Sequence, residues 1–201
     1  MGRGYIAIGA LVLLSACGGS PTVSETNVAV TSDANMVVPM GNEGDGNAAL
    51  GNESEVRPAF GLAADGVTVG AQSIVFSTNR EASVAAVQSA LGAPTEQGTN
   101  PECGAGPLDN VDFAGGVTLF LQDGKFVGWS IDGRNGSPYK TAKGLGIGST
   151  LEQLRAAGDV MVQATSLGNE FTAGEISGLL TTDMPDGKVT NIWAGTTCAF
   201  R

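Results

Sequence analysis

The sequence predicts an α+β fold: two tandem repeats, each a helix packed on a small antiparallel β-sheet, behind a disordered tether. Three observations predict it. The stretch Asp123-Gly124-Lys125 recurs as Asp186-Gly187-Lys188, and each copy has a strand-like apolar run before it and a tryptophan after it. A helix-like segment precedes each copy. The chain from residue 18 to about residue 57 holds no aromatic residue and is built of Ser, Thr, Asn, Gly, Glu and Ala. Such a composition buries too little apolar surface to offset its ordering entropy. The expected boundaries are a leader at 1–16, a tether at 17–58 and a folded domain at 59–201, with units at about 67–132 and 140–201.

The leader has the three parts of a signal peptide: Arg3 as its single positive charge, an apolar run over 6–14, and small residues ahead of the cut. That run is too short to span about 30 Å of hydrocarbon as a helix. Leu13-Leu14-Ser15-Ala16-Cys17 resembles a bacterial lipobox. The resemblance implies that Cys17 becomes the first mature residue and carries acyl chains. The membrane is then a partner through lipid on Cys17, and the protein sits outside the cytoplasm. Gly18 after the cysteine, rather than Asp, implies the outer membrane in a Gram-negative envelope. Each buried methylene contributes about 0.8 kcal/mol, so two or three chains hold a protein where one does not.

Removing residues 1–16 from the 201 leaves 185 residues and takes the net charge from −10 to −11. So acidic a chain argues against nucleic acid, whose phosphates need Lys and Arg to displace counterions. It argues equally against a polybasic attraction to lipid. No histidine is present, which removes the commonest general base and metal ligand. A tether of some 40 residues has a span of about 35 Å. Within it, the residues of 41–47 place carboxylate and amide oxygens along a Gly-rich turn but miss the EF-hand spacing. Asn52-Glu53-Ser54 is formally a glycosylation sequon.

In the first unit Val84, Val87 and Leu91 make a helical stripe ended by Gly92 and Pro94. Its start is open between the capping box Thr78-Asn79-Arg80-Glu81 and a cap at Ser83. Residues 117–122 then read as a strand, and Asp123-Gly124 as a two-residue type I′ turn, which needs φ > 0 at both positions. In the second unit Ser149 and Glu152 form the expected capping box, Leu151 and Leu154 share a face, and Gly158 stops the helix. Residues 176–182 read as a strand leading to the second Asp-Gly turn. The repeat offset is 63 at Asp-Gly-Lys and 64 from Trp129 to Trp193, so one residue is inserted. The two tryptophans are expected at equivalent core points, with Val84 over Leu151. A short strand at 74–76 leads in.

The segment Gly146-Ile147-Gly148-Ser149-Thr150-Leu151-Glu152, followed by an antiparallel hairpin, resembles the unit shared by BamE/SmpA assembly lipoproteins and the β-lactamase-inhibitor protein. The resemblance implies a helical segment on one face of a small sheet, in tandem. The short second helix departs from it, and no partner-binding motif carries over.

With Cys17 assigned to lipid, Cys103 and Cys198 remain as a pair, for which a disulfide is expected in an oxidising compartment. They lie 95 residues apart, and closing so long a loop stabilises by about 4.7 kcal/mol in the chain-entropy model.

No catalytic residue, cofactor or metal site is expected. Ser137-Pro138-Tyr139-Lys140 matches the S-x-x-K of serine β-lactamases, but the companion motifs are missing and Gly136 and Pro138 argue for a loop. The Gly-rich run 143–150 opens a helix in the manner of a phosphate cradle, without the P-loop lysine. Asp109 and Asp112 sit in a Pro- and Gly-rich stretch, where their spacing gives no distance. The function expected is a lipid-anchored envelope protein acting by protein binding, as an assembly factor or inhibitor. The alternative is a small extracytoplasmic hydrolase with a Ser or Asp site. An enzyme requires convergent polar groups in a pocket, a binding module an exposed apolar patch or groove.

Overall fold

The computed structural model describes residues 57–198. The leader, Cys17, the tether and the residues of 41–47 lie outside the described residues. The described chain is mostly β, with eleven strands in two antiparallel sheets of three and eight strands and two helices. This corrects the expected α+β fold of two helix-plus-hairpin units at 67–132 and 140–201. Each helix is followed by a meander of four strands, and the two meanders fuse into one sheet.

The small sheet is β1 (Phe60–Ala63), β2 (Gly66–Val69) and β3 (Gln72–Val75). Helix α1 (Arg80–Leu91) follows, then β4 (Glu96–Asn100), β5 (Leu108–Phe113), β6 (Val117–Gln122) and β7 (Lys125–Asp132). Helix α2 (Leu151–Ala157) precedes β8 (Met161–Thr165), β9 (Gly168–Ala173), β10 (Ile176–Leu180) and β11 (Val189–Gly195). The order in the large sheet is β4-β5-β6-β7-β11-β10-β9-β8, so the last strands of the two meanders meet in its middle.

Strands β4, β5, β8 and β9 have no counterpart in the sequence pattern, for physical reasons. The edge strand β4 reads Glu-Gln-Gly-Thr-Asn, and its first four residues are exposed, so no apolar alternation marks it. In β5 Val111 and Phe113 face the core, but buried Leu108 has the opposite parity, which breaks the period. The stretch holding Asp109 and Asp112 is therefore a strand rather than a loop.

The helices dock on the sheet by one shared scheme. In the first half Ser77 N donates to Phe126 O (2.7 Å), Phe126 N to Thr78 O (2.8 Å) and Arg80 N to Gly124 O (2.9 Å). In the second, Gly148 N donates to Val189 O (2.9 Å), Val189 N to Ser149 O (2.9 Å) and Leu151 N to Gly187 O (2.8 Å). Each Asp-Gly glycine thus accepts from the first N–H of its helix, one of the donors a helix cannot satisfy internally. The turns differ. Asp123 (φ 51°) and Gly124 (φ 72°) make the expected two-residue turn. Asp186 and Gly187 instead lie in an eight-residue loop between Leu180 and Val189, where Gly187 N donates to Met184 O at 2.9 Å. Pro185 has no N–H to give a tight ladder, and its carbonyl accepts from Glu152 N at 2.9 Å.

The caps settle one residue from where they were expected. Asn79 caps α1, its side chain accepting from Ala82 N at 2.8 Å. Thr150, not Ser149, caps α2: Gln153 N donates to Thr150 Oγ1 (3.2 Å) and Thr150 N to Gln153 Oε1 (2.9 Å). Buried Ser149 instead accepts from Gly146 N at 3.1 Å.

The tryptophans are not equivalent. β7 carries a bulge at Val127, since Leu121 pairs with Phe126 and Phe120 with Gly128. β11 carries the matching bulge at Thr190, since Leu180 pairs with Val189 and Leu179 with Asn191. Counting on from these bulges, Trp129 corresponds to Ile192, and Trp193 to Ser130. A one-residue slip moves a side chain to the other face of a sheet. By the caps, Val84 corresponds to Arg155 and Ser83 to Leu154, so the expected pairing of Val84 with Leu151 also fails.

One face of the large sheet holds the core. Val111, Phe113, Val117, Leu119, Leu121, Trp129, Phe171, Ile192 and Ala194 pack there with Val87 and Leu91 of α1, Leu151 and Leu154 of α2, and Leu62, Val67 and Ile74 of the small sheet. Trp129 is fully buried, and its Nε1 donates to Ala63 O at 2.9 Å, which fastens the small sheet to the large one. The other face of the large sheet contributes nothing to this cluster.

Candidate binding surfaces

That second face is ordered by strand register into rows. One row crosses all eight strands: Glu96, Asp112, Thr118, Ser130, Trp193, Ser177, Thr172 and Met161, each paired with the next. At about 4.8 Å per strand it runs about 34 Å. Trp193 stands at its middle, half-buried between the small hydroxyl side chains of Ser130 and Ser177. Neighbouring rows add Phe120 and Leu179, also half-buried. The row is held by its own hydrogen bonds, from Thr118 Oγ1 to Asp112 Oδ1 at 2.5 Å and between the Thr172 and Ser177 hydroxyls at 3.4 Å. Among the described residues both helices and the small sheet lie on the core face, so no helix covers the row.

Acidic groups collect toward the β4–β7 side of this face. Asp112 also accepts from Asn110 Nδ2 at 2.8 Å. Asp132 is ion-paired with Arg134, and the hydrogen bond from that guanidinium holds the carboxyl below its usual range. Asp109, by contrast, points to the core face, where it accepts from Arg80 Nη1 at 3.0 Å and Thr99 Oγ1 at 2.6 Å. Asp109 and Asp112 are thus divided by the sheet and form no dyad.

On the core face a cavity of about 620 Å³ opens beside α2. Its floor is Phe171, Ala173, Ile176 and Ile192, its walls Leu154, Ala157, Leu62 and Leu145. The cause is the length of the helices. α1 has 12 residues and lays Val87, Ala90 and Leu91 into the core, whereas α2 stops after 7. The sheet positions beneath are also smaller, with Ala173 opposite Ile176 where the first half has Phe113 opposite Val117. Lys143, Asp159 and Glu175 lie at the cavity's lining, and Lys143 Nζ is engaged with Ala157 O at 2.6 Å.

The other motifs do not assemble into chemistry. Lys140 Nζ donates to Ile147 O at 2.9 Å, while the buried Ser137 hydroxyl has no hydrogen-bond partner, so the S-x-x-K pair is not coupled. The Gly-rich run offers no phosphate cradle. The N–H groups of Gly148, Ser149, Leu151 and Glu152 already donate to backbone carbonyls, and those of Gly146, Thr150 and Gln153 to side chains. Among the described residues no three His, Cys, Asp or Glu side chains group as metal ligands, and no helix is long and apolar enough to cross a membrane.

Of the residues singled out in the sequence, Cys17 lies outside the described residues. Cys103 and Cys198 are free thiols in this structure, brought to one corner of the second face. Cys103 is buried in the loop between β4 and β5, and Asn100 Nδ2 donates to Cys198 Sγ at 3.3 Å. Burial pushes the Cys198 thiol up to about 11; a hydrogen bond with the Cys103 side chain and its charge add to the rise, and the Gly104 N–H opposes it. The row through Trp193 was hidden in the sequence, because it is defined by pairing across eight strands. Compared with known proteins, the chain matches no family model, no curated protein and no solved structure.

Proposed function

We propose that this chain is a lipid-anchored envelope protein that works by binding another protein through the second face of its eight-stranded sheet. The observation that carries this reading is the row centred on Trp193. A tryptophan flanked by small hydroxyl residues, with acidic and polar groups toward one edge, has the make-up of an interface core and its rim. Serine and threonine hydroxyls adapt their hydrogen bonds to a partner, and the indole supplies buried area at little entropic cost. The partner's complementary surface is cationic where it meets Glu96 and Asp112. Lipid on Cys17, from the lipobox, supplies the anchor.

The hydrolase alternative has no observation in its favour. The cavity beside α2 is mainly apolar, and the lysine at its lining, Lys143, is engaged with Ala157 O. The test is co-purification of the tagged, full-length protein from its own envelope. Trp193→Ala and Ser130→Arg are expected to lose the bound protein while Met184→Ala, in the loop after β10, retains it. Retention by all three variants would overturn the reading. Cys17→Ser is expected to release the protein from membranes or to block its processing.

A further inference from the structure

We propose that Cys103 and Cys198 close as an intramolecular disulfide that straps the C-terminal segment across the second face of the sheet. The inference does not depend on what that face binds. Four observations converge on the corner. The chain leaves β11 through Gly195, whose φ of 72° turns it out of the sheet. Thr196 N then donates to Val127 O at 2.8 Å, and the Thr196 carbonyl passes so close over Gly128 that any Cβ there would collide with it. From the other side, the loop of residues 101–107 reaches back to β6, where Gln122 Nε2 donates to Ala105 O at 2.9 Å. The two segments meet where the Asn100 side chain holds Cys198 Sγ and where the Cys103 side chain and the Gly104 N–H also reach that thiol.

Leu108 lies at this corner, paired with Asn100, on the face opposite the core. It is buried to 1 %, and neither it nor Cys103 belongs to the main core cluster. A small second core thus lies at the corner to which the Thr196 and Asn100 hydrogen bonds bring the segment 196–198, and a covalent bond to Cys103 would add to them.

The closure is an exchange with an oxidised dithiol carrier. Cys198 is the more accessible of the two sulfurs, and its thiolate attacks one sulfur of the carrier's disulfide and expels the other as a thiolate. Cys103, deprotonated in turn, attacks Cys198 Sγ, forms the internal S–S bond and expels the second carrier sulfur. The two protons end on the carrier's thiols; the protein loses two electrons and the carrier gains them. The raised thiol of Cys198 makes the first step slow near neutral pH and faster as pH rises.

The test uses the full chain carrying Cys17→Ser, so that Cys103 and Cys198 are its only thiols; it is reduced, then incubated with oxidised glutathione at pH 8 and pH 9 and alkylated in denaturant. The expected product is monomeric, takes no alkyl group until dithiothreitol is added and then takes up alkyl groups at both Cys103 and Cys198. Peptide mapping finds the two joined. Reduction is expected to lower the thermal midpoint by about 10–20 °C and to speed amide exchange at Thr196. In Cys103→Ser, Cys198 is expected to stop at the mixed disulfide with glutathione, which tests the resolving role. Free thiols at both positions after oxidation, disulfide-linked dimers, or glutathione left on Cys198 in the unsubstituted chain would each overturn the proposal.

Discussion

Trp129 and Trp193 stand on adjacent strands and on opposite faces of one sheet: Trp129 pairs with Ala194, and Trp193 with Ser130. The first is sealed in the core with its indole N–H satisfied by Ala63, and the second is half-exposed on the face without helices. Two residues that look alike in the sequence thus serve stability and recognition separately.

Trp129→Ala is expected to destabilise by about 3–5 kcal/mol, as large core truncations do, and to loosen the small sheet that it holds. Trp193→Ala is expected to cost about 1 kcal/mol or less, as for a surface side chain. Denaturant unfolding of both variants checks the contrast; equal losses would contradict the opposed faces.

The helix caps separate the observed from the expected start of α2. Thr150→Ala and Asn79→Ala are each expected to cost about 1 kcal/mol. Gln153→Ala is expected to lose the reciprocal bond to Thr150 N, whereas Glu152→Ala is expected to change little. Unfolding midpoints of the four variants decide it.

The cavity beside α2 predicts an asymmetry between the two halves of the core. Ala173→Leu adds volume where space exists and is expected to leave stability unchanged or raised. Val111→Phe, in the filled half, is expected to cost about 1–3 kcal/mol by overpacking. Thermal midpoints measured side by side test this, and a large loss from Ala173→Leu would mean that the cavity is not open to the side chain.

The chemistry of Cys198 gives a pH dependence in the reduced protein. An unperturbed thiol ionises near about 8.5, whereas this one is raised to about 11. Its thiolate is scarce below that value, so alkylation is expected to accelerate about tenfold per pH unit from pH 7 to 10. Peptide-resolved alkylation rates check it; a plateau near pH 9 would contradict the buried, hydrogen-bonded setting.

What could be read from the sequence was local. The first Asp-Gly turn, the helix stops at Gly92 and Gly158 and the presence of two helices follow from short-range chemistry, decided within a few residues, although Gly158 ends α2 in extended backbone (φ 161°) rather than in the expected αL position. The large sheet was not legible, because β4 is polar along its length and β5 breaks alternation at Leu108. The extra residue between the tryptophans was visible as a count, but its consequence was not. Only the paired bulges at Val127 and Thr190 show that it moves Trp193 to the other face. The binding row depends on that same placement and so escaped the sequence entirely.

The central claim is that the face bearing Trp193 meets a protein partner, and site-specific photocrosslinking in the protein's own envelope tests it most directly. A photoreactive residue is placed at 179, in the row beside Trp193, and, as a control, at 184, in the loop that docks α2. The account predicts one discrete protein adduct from position 179, lost when Trp193→Ala or Ser130→Arg is added, and none from position 184. No adduct from 179, or the same products from both positions, would contradict it.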